Sequence, residues 1–144
     1  MEGPAISGGE SPVVTHPAAR MFEADAASRA LGIRLLEAGD GCALLTMTVT
    51  PAMVNGHGIA HGGYLFLFAD TAFACACNAE GPVTLAAGAE IEFIAPVRAG
   101  ELLRAQAERR SRWGRNGIYD VRVTRAEDGQ VVAEFRGRSR EVAR

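Results

Sequence analysis

The feature that most constrains the fold of this chain is a long apolar stretch near its centre. From Tyr64 to Asn78 every residue is Tyr, Leu, Phe, Ala, Thr or Cys, except Asp70 and the closing Asn78. A helix that is apolar on nearly every side must be buried, and at about 1.5 Å per residue this one would span roughly 22 Å. The stretch therefore predicts one long helix enclosed by the rest of the molecule.

The segments on either side of this stretch have the pattern of β-strands. Two strand-like runs, 33–38 and 42–50, precede it and are separated by Gly39-Asp40-Gly41, a strong hairpin signal. Four further runs follow it, at 83–95, 101–112, 117–126 and 130–142. Their connections are too short for parallel crossovers, which need a dozen or more residues. One long helix against an antiparallel sheet is an α+β fold.

The length of 144 residues allows a single domain. Residues 1–19 are rich in Gly, Pro, Ser and Ala, and we expect a flexible N-terminal segment there. Residues 20–31 fit a short helix that ends at Gly32, and one domain occupies 20–144. The sequence shows neither an apolar run long enough to span a membrane nor a secretory signal pattern, so we expect a cytoplasmic protein without a membrane partner.

The basic residues are concentrated in the second half of the chain. All fifteen are Arg, and twelve of them follow residue 97, interleaved with seven acidic residues. This asymmetry is compatible with an anionic partner or with a solvated sheet face, and the interleaved acids favour the solvated face for most of these arginines. A nucleic-acid partner is not expected, because the net charge is −2 and no helix combines clustered Arg with aromatic residues.

Cysteines and histidines predict neither a disulfide nor a metal site. Cys42, Cys75 and Cys77 are odd in number and lack a disulfide spacing, so we expect reduced thiols packed as small hydrophobic side chains. His57 and His61 are four residues apart. Zinc takes three or four ligands, however, and no nearby Cys or carboxylate completes such a set. We expect His61 to order the loop before the long helix.

Asp70 is the first candidate for chemistry. Burying an unpaired carboxylate costs several kcal/mol, and the other residues around it on the helix are apolar. One interpretation is a nucleophile or general base with a raised pKa in a dry pocket. The alternative is a structural carboxylate that pairs with an Arg on the sheet, and the helix alone does not decide between them.

A glycine-rich loop from Asn55 to Gly63 leads into the long helix. Gly62 and Gly63 fall in the first helical turn, where backbone N–H groups have no partner within the helix. Such donors suit an oxyanion or a polarised carbonyl, although a glycine pair also permits a tight turn. Asn55 either bonds the loop backbone or orients a carbonyl or a water.

The spacing of Gly62 and Asp70 predicts how the site is assembled. The two residues are eight positions apart, or about 12 Å along one helix axis. A carboxylate must come within about 3 Å of the atom or water on which it acts. One copy of the helix cannot place both groups on one small reacting centre, whereas two antiparallel copies can. We therefore expect an active site shared across a symmetric dimer.

These residues resemble the signature of a known family, the hotdog-fold thioesterases. The matching pattern is Asn55-Gly-His-Gly-x-x-His61-Gly62-Gly63-x-x-Phe66-x-x-Ala69-Asp70-Thr71-Ala72-Phe73-Ala74. Within the family the chain is most similar to the phenylacetic-acid-pathway (PaaI-type) thioesterases. Segments 93–96, 114–121 and 135–139 resemble that group as well, so the match covers about residues 20–142.

The resemblance implies a hotdog fold, in which one long buried helix is wrapped by a curved antiparallel sheet, with a short helix at the N-terminus. It implies hydrolysis of acyl-CoA thioesters, typically phenylacetyl-CoA and its ring-hydroxylated relatives, with no cofactor. Asp70 would be the nucleophile or base, the Gly62 amide would polarise the carbonyl, Asn55 would position carbonyl or water, and His61 would support the loop. Active sites would lie between subunits of a homodimer or homotetramer.

The resemblance also implies a set of substrate-binding residues. Contacts with CoA would be made by Arg115, Asn116, Gly117, Arg138 and Ser139. Arginine suits this role because its planar fork matches phosphate oxygens. Gly63 and Phe66 are further candidates; Phe66 either lines an aryl pocket or packs in the core. The sequence departs from the family pattern at two positions in this region: Asn116 replaces the usual Thr, and Trp113 is an unusual neighbour.

Two other functions fit a similar scaffold. A non-catalytic acyl-CoA-binding or sensor module would keep the pocket but would not need Asp70, and the retained carboxylate argues against it. A hydratase or dehydratase would use a His as its principal acid and base, and His61 is followed by glycines that suit an oxyanion site better.

Overall fold

The computed structural model describes residues 17–142 of the chain. The helices are α1 (Pro17–Glu23), α2 (Ala26–Ala30) and α3 (Gly62–Cys77), with a 3₁₀ turn at Pro51–Met53. The strands are β1 (Arg34–Gly39), β2 (Cys42–Thr48), β3 (Thr84–Phe93), β4 (Leu102–Trp113), β5 (Asn116–Arg125) and β6 (Val131–Glu141). This is the predicted order of elements, except that two short helices replace the single one expected at 20–31.

All six strands form one antiparallel sheet in the order β1-β2-β4-β5-β6-β3. The sheet wraps around α3, which contacts every one of the six strands. The predicted α+β architecture, with one long helix enclosed by a curved antiparallel sheet, is confirmed. Asp40 and Gly41 both have positive φ, 54° and 73°. This is the backbone that a two-residue hairpin requires, and the predicted β1–β2 turn forms there.

The core lies between α3 and the inner face of the sheet. Phe68 and Phe73 of the helix are fully buried, together with sheet residues such as Leu45, Leu103 and Val121. A close approach of helix and sheet is possible because β6 has a glycine at position 137: a Cβ there would lie 2.7 Å from the ring of Phe73. Alternating burial along β4 and β5 places their outer side chains in solvent.

The outer face of the sheet carries much of the arginine excess. Cross-strand ion pairs join Arg122 to Glu134 at 2.8 Å and Arg136 to Asp120 at 2.7 Å. Exposed pairs of this kind contribute only about 0–1 kcal/mol each. As the interleaved acids led us to expect, these arginines form a solvated charged face.

The predicted boundary between the flexible N-terminal segment and the domain was wrong. Residues 1–16 lie outside the described range, but residues 17–19 belong to α1 rather than to a flexible segment, and Ala18 and Ala19 are buried. The predicted helix at 20–31 is interrupted because Asp25 caps a new helix: its carboxylate accepts hydrogen bonds from both the backbone N–H and the hydroxyl of Ser28.

The cysteines also depart partly from expectation. Cys75 and Cys77 are buried free thiols, as predicted, but Cys42 is exposed on β2 instead of packed in the core. Burial raises the pKa of Cys75 and of Cys77 to about 12. Neither thiol is therefore a nucleophile near neutral pH. Within residues 17–142, no helix combines the length and the hydropathy needed to cross a bilayer.

Candidate active site

The start of α3 presents one free backbone donor. His61 is the N-cap residue, and its Nδ1 accepts a hydrogen bond from the N–H of Gly63 at 3.2 Å. The N–H of Gly62 has no hydrogen-bond partner in the described part of the chain. The helix dipole adds partial positive charge at this point. The first turn therefore offers a single open N–H to a developing negative charge.

The loop before α3 is held by Asn55. Its Oδ1 accepts hydrogen bonds from the N–H of His57 at 2.8 Å and of Ile59 at 3.4 Å. The backbone N–H of Asn55 donates to the Ile59 carbonyl. The Asn55 Nδ2 forms no hydrogen bond within residues 17–142. Asn55 thus orders the loop through its oxygen and keeps its amide N–H₂ available.

An apolar cavity of about 540 Å³ adjoins this turn. Its lining residues are Asn55, Ile59, Ala60, Gly62, Leu65, Phe93, Ile94, Ala95, Pro96 and Val97. The volume lies within the range of small-molecule sites. The cavity is open to solvent and is bordered on one side by the end of β3 and the segment after it, and on the other by the first turn of α3.

The ring of Phe93 stands directly against Gly62. A Cβ added at Gly62 would lie 2.9 Å from Cζ of that ring. Glycine at this position thus allows the aromatic wall of the cavity to approach the open N–H. Sequence reasoning did not assign a role to Phe93, although it is an exposed aromatic residue at the end of a strand.

Asp70 lies half-buried on α3, eight residues beyond Gly62. Its carboxylate forms no hydrogen bond or ion pair with any side chain in the range 17–142, so the predicted alternative of a partner Arg on the sheet is not observed there. Burial raises the pKa of Asp70, and the negative charge of Asp25 raises it further. Asp70 is therefore an unneutralised carboxylate with enhanced basicity.

Asp25 reaches this region through a short chain of hydrogen bonds. Its carboxylate accepts from the Ser28 hydroxyl at 2.7 Å, and the Ser28 and Thr71 hydroxyls are 2.8 Å apart. The Thr71 hydroxyl has a single proton, which it can donate either to the Ser28 oxygen or to the Leu67 carbonyl of α3. These contacts fix the N-terminal helices on α3 at the residue that follows Asp70. Sequence reasoning missed Asp25, whose only signal was its position as a helix cap.

One chain does not bring Gly62 and Asp70 together. The cavity lining includes Gly62 and Asn55 but not Asp70, which is about 12 Å away along the helix axis. The terminal strand β3 ends at the cavity, which Phe93 and Ile94 line, and begins near Leu85; each of these three side chains is more than half exposed. An apolar exposed strand edge is a site for association with another chain.

The predicted CoA contacts lie toward the other end of α3 and on two faces of the sheet. Arg115, Asn116 and Ser139 line a narrow groove beside Cys77. Gly117 is buried against them, since a Cβ there would lie 2.8 Å from the Ser139 hydroxyl oxygen. Strand alternation puts Arg138 on the opposite face.

The remaining predicted substrate-binding residues also lie in separate parts of the structure. Arg138 is held by Glu90 at 3.3 Å on the outer face. Phe66 is about one-third exposed, and its ring packs edge-on against Phe135 with centroids 5.3 Å apart. Gly63 is exposed, and its N–H is satisfied by His61. No group of three or more His, Cys, Asp or Glu in the described residues is arranged to hold a metal ion.

The fold and the first turn of α3 together define a hotdog-fold thioesterase. The family model for the thioesterase superfamily matches residues 57–132, which include this turn, Asp70 and Phe93. The chain belongs to the thioesterase superfamily.

Several known proteins are similar to this chain over most of its length. The acyl-coenzyme A thioesterase PaaI of Escherichia coli (strain K12) is 43% identical over 122 residues, 85% of this chain and 86% of that protein. The solved structure of the E. coli PaaI protein, from the phenylacetic acid degradation operon, matches with a TM-score of 0.85 and covers 88% of this chain and 91% of that one. A putative esterase of Deinococcus radiodurans is 39% identical and covers 92% of both chains.

Proposed function

We propose that this protein is an acyl-CoA thioesterase that releases CoA and a free carboxylic acid. The observation that carries the proposal is the Gly62 N–H, which has no partner in residues 17–142 and borders an apolar cavity. A thioester carbonyl oxygen gains negative charge as its carbon is attacked, and a fixed backbone donor stabilises that charge. The E. coli relative is an acyl-coenzyme A thioesterase, which supports the same substrate class for this chain.

The chemistry needs one further group, and Asp70 supplies it. As a general base, Asp70 takes a proton from water while the water oxygen bonds to the carbonyl carbon. As a nucleophile, its oxygen forms that bond and water then hydrolyses the mixed anhydride. In both routes the C–S bond breaks and CoA leaves as a thiolate, which takes up a proton. The raised pKa of Asp70 strengthens its carboxylate both as a base and as a nucleophile, and so supports either route.

The site is formed between two copies of the chain. Two antiparallel α3 helices bring Gly62 and Asn55 of one protomer to the partner's Asp70, which bridges the separation of about 12 Å within each helix. The exposed apolar edge of β3 supports such an association. A dimer contains two equivalent sites, and a homotetramer would contain four.

The acyl group is phenylacetyl or hydroxyphenylacetyl. The cavity beside Gly62 is apolar and carries an aromatic wall at Phe93, which suits an aryl ring. Asn55 would direct its free Nδ2 to the carbonyl or to the water, while His61 holds the first turn in place. The CoA moiety would contact Arg115, Asn116, Gly117, Arg138 and Ser139.

Thiol release from an acyl-CoA panel tests the activity. The panel holds phenylacetyl-, hydroxyphenylacetyl-, benzoyl- and straight-chain CoA esters, each assayed with the wild type and Asp70→Asn. Fast release of aryl-acetyl esters by the wild type alone supports the proposal. No release from any ester, with CoA still bound, would make the protein a non-catalytic acyl-CoA-binding module.

Mixed oligomers test whether the site is shared. Asp70→Asn and Gly62→Pro are each expected to be inactive, but a hybrid dimer of the two has one site with an intact Gly62 and an intact Asp70. Random mixing makes half the dimers hybrid, so co-expression restores about a quarter of the wild-type activity. A site built within one chain would give no restoration.

A further inference from the structure

The tip of the Phe93 ring lies closest to the position that a side chain at Gly62 would occupy. The three atoms nearest to a Cβ at Gly62 all belong to this ring: Cζ at 2.9 Å, Cε1 at 3.2 Å and Cε2 at 3.4 Å. The Gly62 nitrogen is two bonds from that Cβ position, so the ring tip is less than about 6 Å from the nitrogen. The ring therefore bounds the space in which a carbonyl bonded to this N–H must fit.

Backbone hydrogen bonds fix the distance between the ring and the first turn of α3. Phe93 is the last residue of β3, and the next residue, Ile94, donates its N–H to the Val132 carbonyl at 2.8 Å. In the loop before α3, the N–H of Ala60 donates to the Val97 carbonyl at 2.7 Å. The strand end is thus tied to the sheet, and the segment after it is tied to the loop. The gap between ring and helix is set by the main chain.

The Phe93 side chain is not part of the core. It is 54% exposed, and its ring contacts no other aromatic ring in residues 17–142. Shortening an exposed side chain leaves no buried cavity, unlike a large-to-small substitution in a core. Variants at this position are therefore expected to fold as the wild type does.

A substrate carbonyl at the Gly62 N–H brings its α-carbon next to the ring. The carbonyl oxygen would accept the hydrogen bond at about 2.9 Å, with the carbonyl carbon about 1.2 Å beyond it. The acyl group extends into the cavity, which Phe93 lines, so the α-carbon lies on the side of the ring and the sulfur on the other side. Carbon atoms in contact need a separation of about 3.5–4.0 Å. A CH₂ group meets this condition in less space than a branched carbon does.

We propose that Phe93 selects acyl groups by the substitution of their α-carbon. The ring admits a CH₂ group next to the thioester carbonyl and excludes an α-carbon that carries a branch. The inference rests on the proposed function, since that function places the thioester carbonyl at Gly62. Phenylacetyl and straight-chain acyl groups have the required CH₂, whereas 2-phenylpropanoyl and 2-methylpropanoyl groups do not.

Two matched pairs of CoA esters isolate the α-carbon. The first pair is phenylacetyl and 2-phenylpropanoyl, the latter as separate enantiomers; the second pair is butanoyl and 2-methylpropanoyl, which have no aryl ring. The ratio of kcat/KM within each pair is compared between the wild type, Phe93→Leu and Phe93→Ala. The different intrinsic reactivities of the esters cancel in this comparison.

The unbranched-to-branched ratio is expected to fall about 10- to 200-fold in Phe93→Ala, the range for one carbon group in an apolar pocket. Phe93→Leu should lie between this variant and the wild type, because it removes only the ring tip. Unchanged ratios in Phe93→Ala would overturn the proposal. A fall in the aryl pair alone would also overturn it, because Phe93 would then orient the aryl ring and not select at the α-carbon.

Ile94→Ala is the matched control. Ile94 lines the same cavity and is 51% exposed, but the Cβ position of Gly62 has only Phe93 atoms as its three nearest neighbours. Ile94→Ala should keep both ratios, even where it weakens the binding of all esters. An equal fall in this variant would assign the selectivity to the width of the whole cavity and would overturn the role of Phe93.

Binding without turnover separates this inference from the proposed function. Calorimetry gives Kd for each ester with Asp70→Asn and with the double variant that also carries Phe93→Ala. A change of the Kd ratios in the same direction supports selection by Phe93, even if the wild type hydrolyses no ester and the thioesterase activity is removed. Hydrolysis by the wild type with unchanged ratios in Phe93→Ala would keep the activity and remove the selection.

Discussion

Asp70 on α3 and Asp120 on the outer face of β5 are the same side chain in opposite surroundings. Asp120 is held by Arg136 at 2.7 Å and by Arg110 at 3.2 Å, in contact with solvent. Asp70 has no such partner in residues 17–142, and burial raises its pKa. The protein thus neutralises Asp120 at its surface and leaves Asp70 unneutralised on its central helix. An acid kept at a cost to stability is the one to test for function.

The largest expected effect on kcat comes from replacing the Asp70 carboxylate with an amide. Asp70→Asn should lower kcat by about 100- to 10,000-fold, the usual contribution of a positioned acid or base. Asp120→Asn, the matched control, should stay within about twofold, because an exposed pair contributes little. The measurement is steady-state thiol release, with size-exclusion chromatography to confirm unchanged assembly. Wild-type turnover in Asp70→Asn would remove Asp70 from the mechanism.

Loss of the free N–H donor at Gly62 is expected to have the next largest effect on kcat. Gly62 is the first residue of α3, where proline is tolerated, and His61 already has an extended backbone compatible with a following proline. Gly62→Pro removes the N–H and should lower kcat by about 100- to 1,000-fold. Gly62→Ala meets the same Phe93 ring but keeps the N–H.

The pair of variants therefore separates crowding from loss of the donor. Only the proline variant should show the large kcat decrease, while the alanine variant should mainly alter KM. Equal losses in both would assign Gly62 a steric role against Phe93 and no role in carbonyl polarisation.

A smaller effect is expected from the acid that lies near Asp70. The charge of Asp25 contributes to the raised pKa of Asp70, so Asp25→Asn should move the acidic limb of the kcat/KM profile to lower pH. Ser28→Ala removes a hydroxyl contact with Asp25 but keeps the charge, so it should leave that limb in place. A limb that moves equally in both variants would indicate a structural effect alone.

The smallest expected effect is on thermal stability, where Asp70→Asn and Asp120→Asn should change Tm in opposite directions at neutral pH. A carboxyl whose pKa is raised by folding contributes stability below its unfolded-state pKa and loses it as pH rises through the folded-state value. Asp70→Asn should therefore raise Tm at neutral pH, with the gain vanishing under acidic conditions. Asp120→Asn breaks ion pairs and should lower Tm slightly. Calorimetry across pH decides this, and a lower Tm for Asp70→Asn at neutral pH would contradict the assigned surroundings.

Local sequence patterns account for much of the fold and part of the site. The apolar run predicts α3, and Gly39-Asp40-Gly41 predicts the first hairpin, because both depend on neighbouring residues only. The helix start at Gly62 was predictable for the same reason. The N-terminal helix was predicted as one piece, since the side-chain cap of Asp25 that divides it competes with a good helical period.

The amino-acid sequence by itself thus determined the order of the elements, the antiparallel sheet and the ionisable group on an apolar helix, because periodicity and turn chemistry are local. Only the tertiary structure set Phe93 against Gly62, joined Asp25 to Thr71 through Ser28, and paired Arg138 with Glu90. These relations join residues far apart in sequence, and strand register and helix docking fix them. The shape of the site is therefore a property of packing, although its chemical groups are visible in the sequence.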